Sequence, residues 1–140
     1  MFYVFPLTIP ANTTEETPLE EVVKVTHGIL HRLEIAFPAG CAGLAHLVVL
    51  HWEHPLSPTN KGVSFAADNY TIPINDYFEL FFAPYTLKLR GWNLDDSYPH
   101  TITVRVGILP EDVAAHIYGR RRKADKAKLY EAFGMPQPGG

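Results

Sequence analysis

Histidines are the first candidates for chemistry in this 140-residue chain, which contains seven of them. Two flank a glutamate in the stretch His51-Trp-Glu-His54, and imidazole and carboxylate groups are common metal ligands. On one continuous strand, residues three apart point to opposite faces, so His51 and His54 could not reach the same ion. The spacing therefore favours histidines at a strand end or in a loop, and we predict no metal site.

The remaining nucleophiles and bases do not form a catalytic pattern. His27, His31 and His46 fall among apolar residues, which favours neutral, hydrogen-bonded histidines in a core or an interface. Cys41 lies in a glycine-rich turn that leads into a strand, whereas a reactive thiolate needs a neighbouring base or a helix N-terminus. The chain also lacks a nucleophile elbow, a phosphate loop and a dinucleotide fingerprint. We therefore predict no catalytic residues and no cofactor.

The strongest local charge signal is a run of four bases, Arg120, Arg121, Arg122 and Lys123. Such a run can bind nucleic-acid phosphates, or it can pair with acidic groups on another protein. No aromatic residues alternate with these bases to stack on nucleotides, so the pattern favours a protein partner. Nucleic acid remains the alternative ligand of this run.

Two tryptophans, Trp52 and Trp92, are the candidate sugar-binding residues, because carbohydrate-binding β-sandwiches stack sugars on aromatic rings. Aromatic side chains are also typical of cores and of protein interfaces, and that interpretation stays open for both. A sugar site would lie in the long polar loops around Asn60, Asn69 and Asn93, since loops carry most binding residues.

The composition sets the class of protein that positions these residues. Hydrophobic residues make up 46% of the chain and aromatic residues 12%, which excludes a disordered chain. No apolar run reaches the ~18 residues of a membrane helix, so no membrane association is predicted. A single cysteine excludes an intrachain disulfide, and the net charge of -3 gives no general attraction to nucleic acid.

Apolar and polar residues alternate along most of the chain, which predicts an all-β fold. We predict an antiparallel β-sandwich, jelly-roll-like, over residues 1–109, with a small barrel as the alternative. Pro6 predicts an edge position for the first strand, and Ile29 and Leu33 are expected on one face of the third. The predicted strands are Phe2–Ile9, Glu20–Thr26, Ile29–Phe37, Leu44–Trp52, Tyr70–Ile74, Tyr77–Phe82, Tyr85–Trp92 and His100–Leu109.

Residues 110–140 are predicted to be a basic helical C-terminal arm. Pro110 and the acids after it favour a helix start, Gly119 is expected to interrupt the helix, and Gly134 is a plausible C-cap. Residues 1–110 hold eleven acids and six bases, whereas residues 111–140 hold four acids and six bases. The opposite charges favour an arm that reaches a partner, with the four bases 120–123 and the apolar residues Leu129, Tyr130 and Phe133 as its binding residues.

Four segments carry a resemblance to a known class of protein: Leu7-Thr-Ile-Pro-Ala-Asn, Gly28-Ile-Leu-His-Arg-Leu-Glu-Ile-Ala-Phe-Pro-Ala-Gly-Cys-Ala-Gly, Arg90-Gly-Trp-Asn-Leu-Asp-Asp and Pro99-His-Thr-Ile-Thr-Val-Arg-Val-Gly. In overall texture, residues 1–110 resemble small β-sandwich proteins of tailed phages, which are virion components such as capsid decoration or vertex proteins. The resemblance implies a virion protein, assembled in the host cytoplasm, with the major capsid protein or another virion protein as partner. It does not include the arm, and it carries no family site over to residues of this chain.

The sequence therefore predicts a non-enzymatic structural protein that forms a homo-oligomer and attaches through its C-terminal arm. A carbohydrate-binding module of an adhesion or receptor-binding device is the second hypothesis, resting on Trp52 and Trp92. A cupin-like metalloenzyme is the third, because cupins are jelly rolls with histidine and glutamate ligands. The first basic residue is Lys24, so no secretory signal is expected at the N-terminus.

Overall fold

Most of the chain forms β-strands, as the alternation of apolar and polar residues predicts. The computed structural model of the protein describes residues 1–132 and 134, except for the side chains of residues 120–127, 129 and 130. The elements are β1 (Phe2–Ile9), β2 (Leu19–Lys24), β3 (Gly28–Phe37), β4 (Ala45–His51), β5 (His54–Ser57), β6 (Tyr70–Leu80), β7 (Thr86–Asn93), β8 (His100–Leu109) and α1 (Glu111–Ala132).

The eight strands form two antiparallel sheets of four. The first sheet has the order β1-β8-β3-β6, and the second has the order β2-β7-β4-β5. One hydrophobic core contains side chains from both sheets, because alternate residues of each strand point inward. The prediction of a mostly antiparallel β fold with a C-terminal helix is confirmed. The largest fully buried side chains of the core include Ile9, Leu33, Ile35, Ile102, Leu47, Leu87 and Leu89.

Strand β1 lies at an edge of the first sheet, as Pro6 predicts. The backbone of Met1 exchanges hydrogen bonds with Ile108, at 2.5 and 2.7 Å. Antiparallel pairs alternate between bonded and non-bonded positions, so the backbone groups of Pro6 point to the free side of β1. Proline therefore occupies a position where the sheet needs no N–H donor.

A β-bulge at His31 changes the face predicted for β3. Leu30 pairs with Ile108 and Arg32 with Gly107, so His31 is an extra residue in the strand. The bulge reverses the alternation, and Leu30 enters the core with Leu33. Ile29 is buried outside that core, so the prediction that Ile29 and Leu33 share a face was wrong.

Two parts of the strand prediction differ from the structure. The predicted strands 70–74 and 77–82 form one continuous strand, β6, because Asn75 pairs with Arg32 and continues the ladder with β3. The predicted loop 54–69 contains β5 at its start. This short strand lies at the edge of the second sheet, where Pro55 is tolerated.

The helix α1 is continuous over 22 residues, so the expected interruption at Gly119 was wrong. Glu111 and Asp112 stabilise its first turn through the helix dipole. Gly134 adopts the left-handed region at φ 66°, and its N–H donates to the carbonyl of Glu131 at 3.2 Å. Gly134 thus has the conformation of the predicted C-cap.

The first two turns of α1 pack on the first sheet, on the side of β3. His27 Nε2 lies 2.8 Å from a carboxylate oxygen of Glu111, and Ala114 is fully buried. The ring of Tyr118 meets the ring of Tyr77 in β6 edge-on, with centroids 4.9 Å apart. These contacts hold the start of α1 on the first sheet.

No helix in the described part of the protein is both long and apolar enough to cross a membrane.

Candidate functional site

The central strands of the second sheet have apolar residues on both faces. Alternation sends Leu47 and Val49 of β4 into the core, and Val48 and Leu50 to the opposite face. The neighbouring strand β7 adds Trp92 to this outer face. The outer face therefore carries a second, smaller apolar cluster that the core does not use.

Loops at both sides turn this cluster into a cleft, here called the outer cleft. Val48, Leu50 and Trp92 form its floor, and its volume is about 490 Å³. Its walls come from residues 15–18 and from residues 60–63. Four carboxylates and two cations line it, and Lys88 pairs with two of these carboxylates, so one negative charge remains in excess. The charged lining residues are Glu15, Glu16, Glu20, Glu53, Lys61 and Arg90.

Four charged side chains form an ion-pair network at one side of the outer cleft. The strand register places Glu20 directly opposite Arg90, and Arg90 Nε donates to Glu20 at 2.9 Å. Arg90 also donates to Glu53 at 3.3 Å, while Lys88 lies 3.4 Å from Glu20 and donates to Glu53. Each cation therefore meets both carboxylates, and the network is neutral.

The network holds Glu53 and Lys88 in their charged forms. Hydrogen bonding and charge from Lys88, and then Arg90, lower the pKa of Glu53. The hydrogen bond from Glu53 raises the pKa of Lys88, with help from Glu20. Both shifts move these groups away from neutral pH, which is opposite to the tuning of an acid–base catalyst.

Glu15 and Glu16 differ from the network acids. Both are exposed in the segment between β1 and β2, and neither forms an ion pair with another described residue. Their charges are therefore available to a cation from outside the chain.

The two tryptophans proposed for sugar binding occupy different environments. Trp92 is only 7% exposed, and its ring is stacked on His46 at 5.2 Å with an interplanar angle of 7°. Trp52 is 58% exposed at the turn between β4 and β5, where it has a φ of 59°. Trp92 thus supports the floor of the outer cleft, whereas Trp52 projects from a hairpin beside it.

The argument that His51 and His54 point to opposite faces was wrong. A two-residue turn follows His51, so the two histidines are direct partners across the β4–β5 hairpin. Direct cross-strand partners share a face. Both line a cavity of about 400 Å³ with Asp76 and Phe78. Among the described residues, no group of three or more His, Cys, Asp or Glu is placed to bind a metal ion.

Burial shifts the pKa of two other histidines and of the cysteine. His46 Nδ1 lies 2.9 Å from Ser64 Oγ, and burial lowers the pKa of His46. Burial also lowers the pKa of His31, as do the charges of the N-terminus and Arg32. Cys41 is fully buried. Burial raises the pKa of its thiol, and the negative charges of Asp68 and Asp95 raise it further. A raised pKa opposes thiolate formation.

The three asparagines that mark the loops proposed for a sugar site have different positions in the structure. Asn60 lines the outer cleft, as a site in that loop would require. Asn93 is instead the buried end of β7, where its amide donates to the carbonyls of Ile9 and Tyr98 at 3.2 and 2.9 Å. The N–H of Asn69 donates to the Pro38 carbonyl at 3.3 Å. Asn93 therefore joins backbone segments and does not line a sugar site.

The proposed partner-binding residues of the arm fall mostly outside the described part. The backbone of Arg120, Arg121, Arg122, Lys123, Leu129 and Tyr130 lies in α1, but their side chains are outside the described residues. Phe133 lies outside them entirely. Lys128, Glu131 and Ala132 are exposed.

Sequence reasoning identified Trp92 and Asn60 of the outer cleft and missed its other residues. The alternation of Lys88, Leu89 and Arg90 predicts a charged outer face for β7, and that signal was available. The partners of those bases depend on the strand order, which brings Glu20 from β2 and Glu53 from the β4–β5 turn to the same place.

Comparison with known proteins provides no family assignment. No model of a known protein family matches the chain, and no curated protein matches it significantly.

Proposed function

We propose that the protein is a non-enzymatic structural protein whose copies join through the C-terminal part of α1. The specific form proposed is a virion component, such as a decoration or vertex protein, assembled in the host cytoplasm and attached to the major capsid protein or another virion protein. The sequence resemblance of residues 1–110 supports this form. The position of α1 supports the assembly role.

A jelly-roll architecture is part of this proposal. Strands pair as β1 with β8, β2 with β7, β3 with β6 and β4 with β5. This is the pattern of one long antiparallel hairpin rolled up on itself, and the two remaining pairings, β3 with β8 and β4 with β7, join the turns of the roll. Capsid proteins, lectins and cupins all use jelly rolls, so the architecture admits all three functions predicted from the sequence.

The observation that carries the assembly role is the length of α1 beyond its anchor. The contacts described for α1, those of Glu111, Ala114 and Tyr118, all lie in its first two turns. The fourteen residues from 119 to 132 extend the helix by about 21 Å at about 1.5 Å per residue. An isolated helix of this length is only marginally stable in water, so its ordered form gains from a surface to pack on.

Titratable groups at the outer cleft favour a binding surface over an active site. Glu53 and Lys88 are held charged by each other, and the Cys41 thiol is buried away from the surface. Fixed opposite charges around an apolar floor are typical of protein interfaces, where charges orient the partner and apolar groups supply affinity.

A stop codon after Tyr118 tests the proposal, because it keeps Glu111, Ala114 and Tyr118, which make the described anchoring contacts, and removes residues 119–140. We expect the wild-type chain to form an oligomer in multi-angle light scattering and the shortened chain to have its monomer mass. Far-UV circular dichroism should show the same β signal for both. A shortened chain that assembles like the wild type would contradict the proposal.

Carbohydrate binding is the second candidate, and the exposure of Trp52 favours it. An exposed aromatic ring next in sequence to Glu53, which lines the outer cleft together with Asn60, has the composition of a sugar-stacking site. The test is a glycan array with the wild-type chain and with Trp52→Ala. We expect Trp52→Ala to lose any glycan that the wild type binds, and an array without wild-type binding would remove this candidate.

A further inference from the structure

We propose that the outer cleft of one copy binds the basic part of α1 from a second copy. The inference rests on the proposed assembly function and names the surface that receives the arm. Its basis is the combination of an apolar floor, two unpaired acids and a basic helix that is held on the opposite side of the molecule.

The charges of the two surfaces are complementary. Beyond the neutral network the outer cleft has an excess of one negative charge, from Glu15 and Glu16 against Lys61, and neither acid has an ion-pair partner among the described residues. The stretch from Arg120 to Lys128 contains six bases and one acid. Opposite charges steer two surfaces together and suppress wrong orientations.

The floor of the outer cleft gives the complex a source of affinity besides charge. Val48, Leu50 and Trp92 form an apolar cluster that faces away from the core. The arm contains Leu129 and Tyr130 close after its bases. Charge would therefore orient the arm in the cleft, and the floor offers apolar surface to Leu129 and Tyr130.

The arm of the same chain cannot occupy this cleft. The first two turns of α1 are fixed on the first sheet by Ala114, by Glu111 with His27, and by Tyr118 with Tyr77. The outer cleft lies on the outer face of the second sheet, on the far side of the shared core. Because α1 is one continuous helix, its basic part cannot turn back across the molecule. The occupant must therefore come from another copy.

This arrangement joins two different surfaces, so the interface is heterologous. Each copy offers one arm and one cleft, and repeated contacts close into a ring or extend into a chain. Growth of this kind suits a protein that coats a larger assembly.

Charge reversal in the full-length chain tests the inference. The cleft variant is Glu15→Lys with Glu16→Lys, and the arm variant is Arg121→Glu with Arg122→Glu. The control variant, Glu79→Lys with Asp96→Lys, makes the same change of net charge at exposed acids outside the cleft. Masses are measured by analytical ultracentrifugation at low salt, with circular dichroism to verify folding.

We expect the cleft variant and the arm variant each to dissociate, with the dissociation constant raised by about tenfold or more, because each replaces attractions with repulsions. The control variant should associate like the wild type. An equimolar mixture of the cleft and arm variants should recover the oligomer, since each variant then offers a complement to the other.

The outcomes separate this inference from the proposed function. A wild-type chain that stays monomeric overturns the proposed function and the inference together. A wild-type oligomer that the cleft variant leaves intact overturns only the inference and assigns the arm to another surface. A mixture that stays dissociated also overturns the inference. Loss of association in the control variant would mean that general charge, and not the cleft, drives assembly.

Discussion

The two tryptophans should contribute very differently to stability, although the sequence gives them the same role. The perturbations are Trp92→Ala and Trp52→Gly. Trp92 is 93% buried between the outer cleft and the sheet, whereas Trp52 is mostly exposed at a hairpin turn. A tryptophan buries up to about 250 Å². At about 25 cal/mol per Å², removal of Trp92 costs up to about 6 kcal/mol, and partial access to water through the cleft reduces the expected loss to about 3–5 kcal/mol.

For Trp52 two effects offset each other. Its buried fraction corresponds to about 100 Å², or at most about 2.5 kcal/mol. Its φ of 59° lies in the left-handed region, where replacement of a non-glycine residue by glycine relieves about 1 kcal/mol of backbone strain. We therefore expect Trp52→Gly to lose no more than about 1.5 kcal/mol.

Urea denaturation followed by far-UV circular dichroism measures both variants without relying on tryptophan fluorescence. With an m value of about 2 kcal/mol per M, Trp92→Ala should lower the midpoint by about 1.5–2.5 M and Trp52→Gly by less than about 0.8 M. The protein concentration is kept equal, because association adds to apparent stability. Equal shifts, or a larger shift for Trp52→Gly, would refute the assignment of Trp92 to a packed floor.

Three further perturbations have expected outcomes. Asp95 accepts hydrogen bonds from the N–H of Ser97 and from His100, which lower its pKa below 3.8. Its stabilising contribution is therefore present above that value and lost as the pH falls through the lower folded-state pKa, so the urea midpoints of the wild type and Asp95→Asn should converge as the pH falls below 3.8. In Gly91→Ala the new Cβ would lie 2.5 Å from Ile9 Cδ1 and 3.2 Å from the His46 carbonyl, and we expect a loss of about 1–3 kcal/mol in urea denaturation. Gly119→Ala is its matched control, because the new Cβ meets no described atom within 4 Å, and it should raise helix content by circular dichroism with a gain of about 1 kcal/mol. A stabilising Gly91→Ala or a destabilising Gly119→Ala would contradict the packing described for these glycines.

Regular alternation made several strands predictable from the sequence. The predicted strands Phe2–Ile9 and His100–Leu109 agree with the structure at both ends. Apolar residues alternate strictly with polar residues along His100–Leu109, and both ends carry a turn or proline signal. The edge position of β1 followed from Pro6, because proline has a specific cost in a central strand.

The errors arose where pairing with another strand decides the local structure. The bulge at His31 depends on the register with β8, which no local pattern encodes. The pair Asn75-Asp76 resembles a turn in composition, but the ladder with β3 keeps it extended. His51 and His54 were assigned to opposite faces because regular strand geometry was assumed between them, whereas the structure has a two-residue turn there, in which Trp52 adopts a positive φ.

The outer cleft could be predicted only in part. Alternation shows that Lys88, Arg90 and Glu20 point away from the core, which is local information. The cleft also requires the strand order β2-β7-β4-β5 and the placement of loops 15–18 and 60–63 over one apolar cluster. These are long-range pairings, which a single sequence does not specify.

The most direct measurement of the central claim is the solution mass of the unmodified 140-residue chain by light scattering, at increasing concentration and at low and high salt. The account predicts multiples of 15.7 kDa that grow with concentration and fall toward one chain near 1 M salt, where charges are screened beyond about 3 Å. A mass of 15.7 kDa at every concentration and at low salt would contradict it.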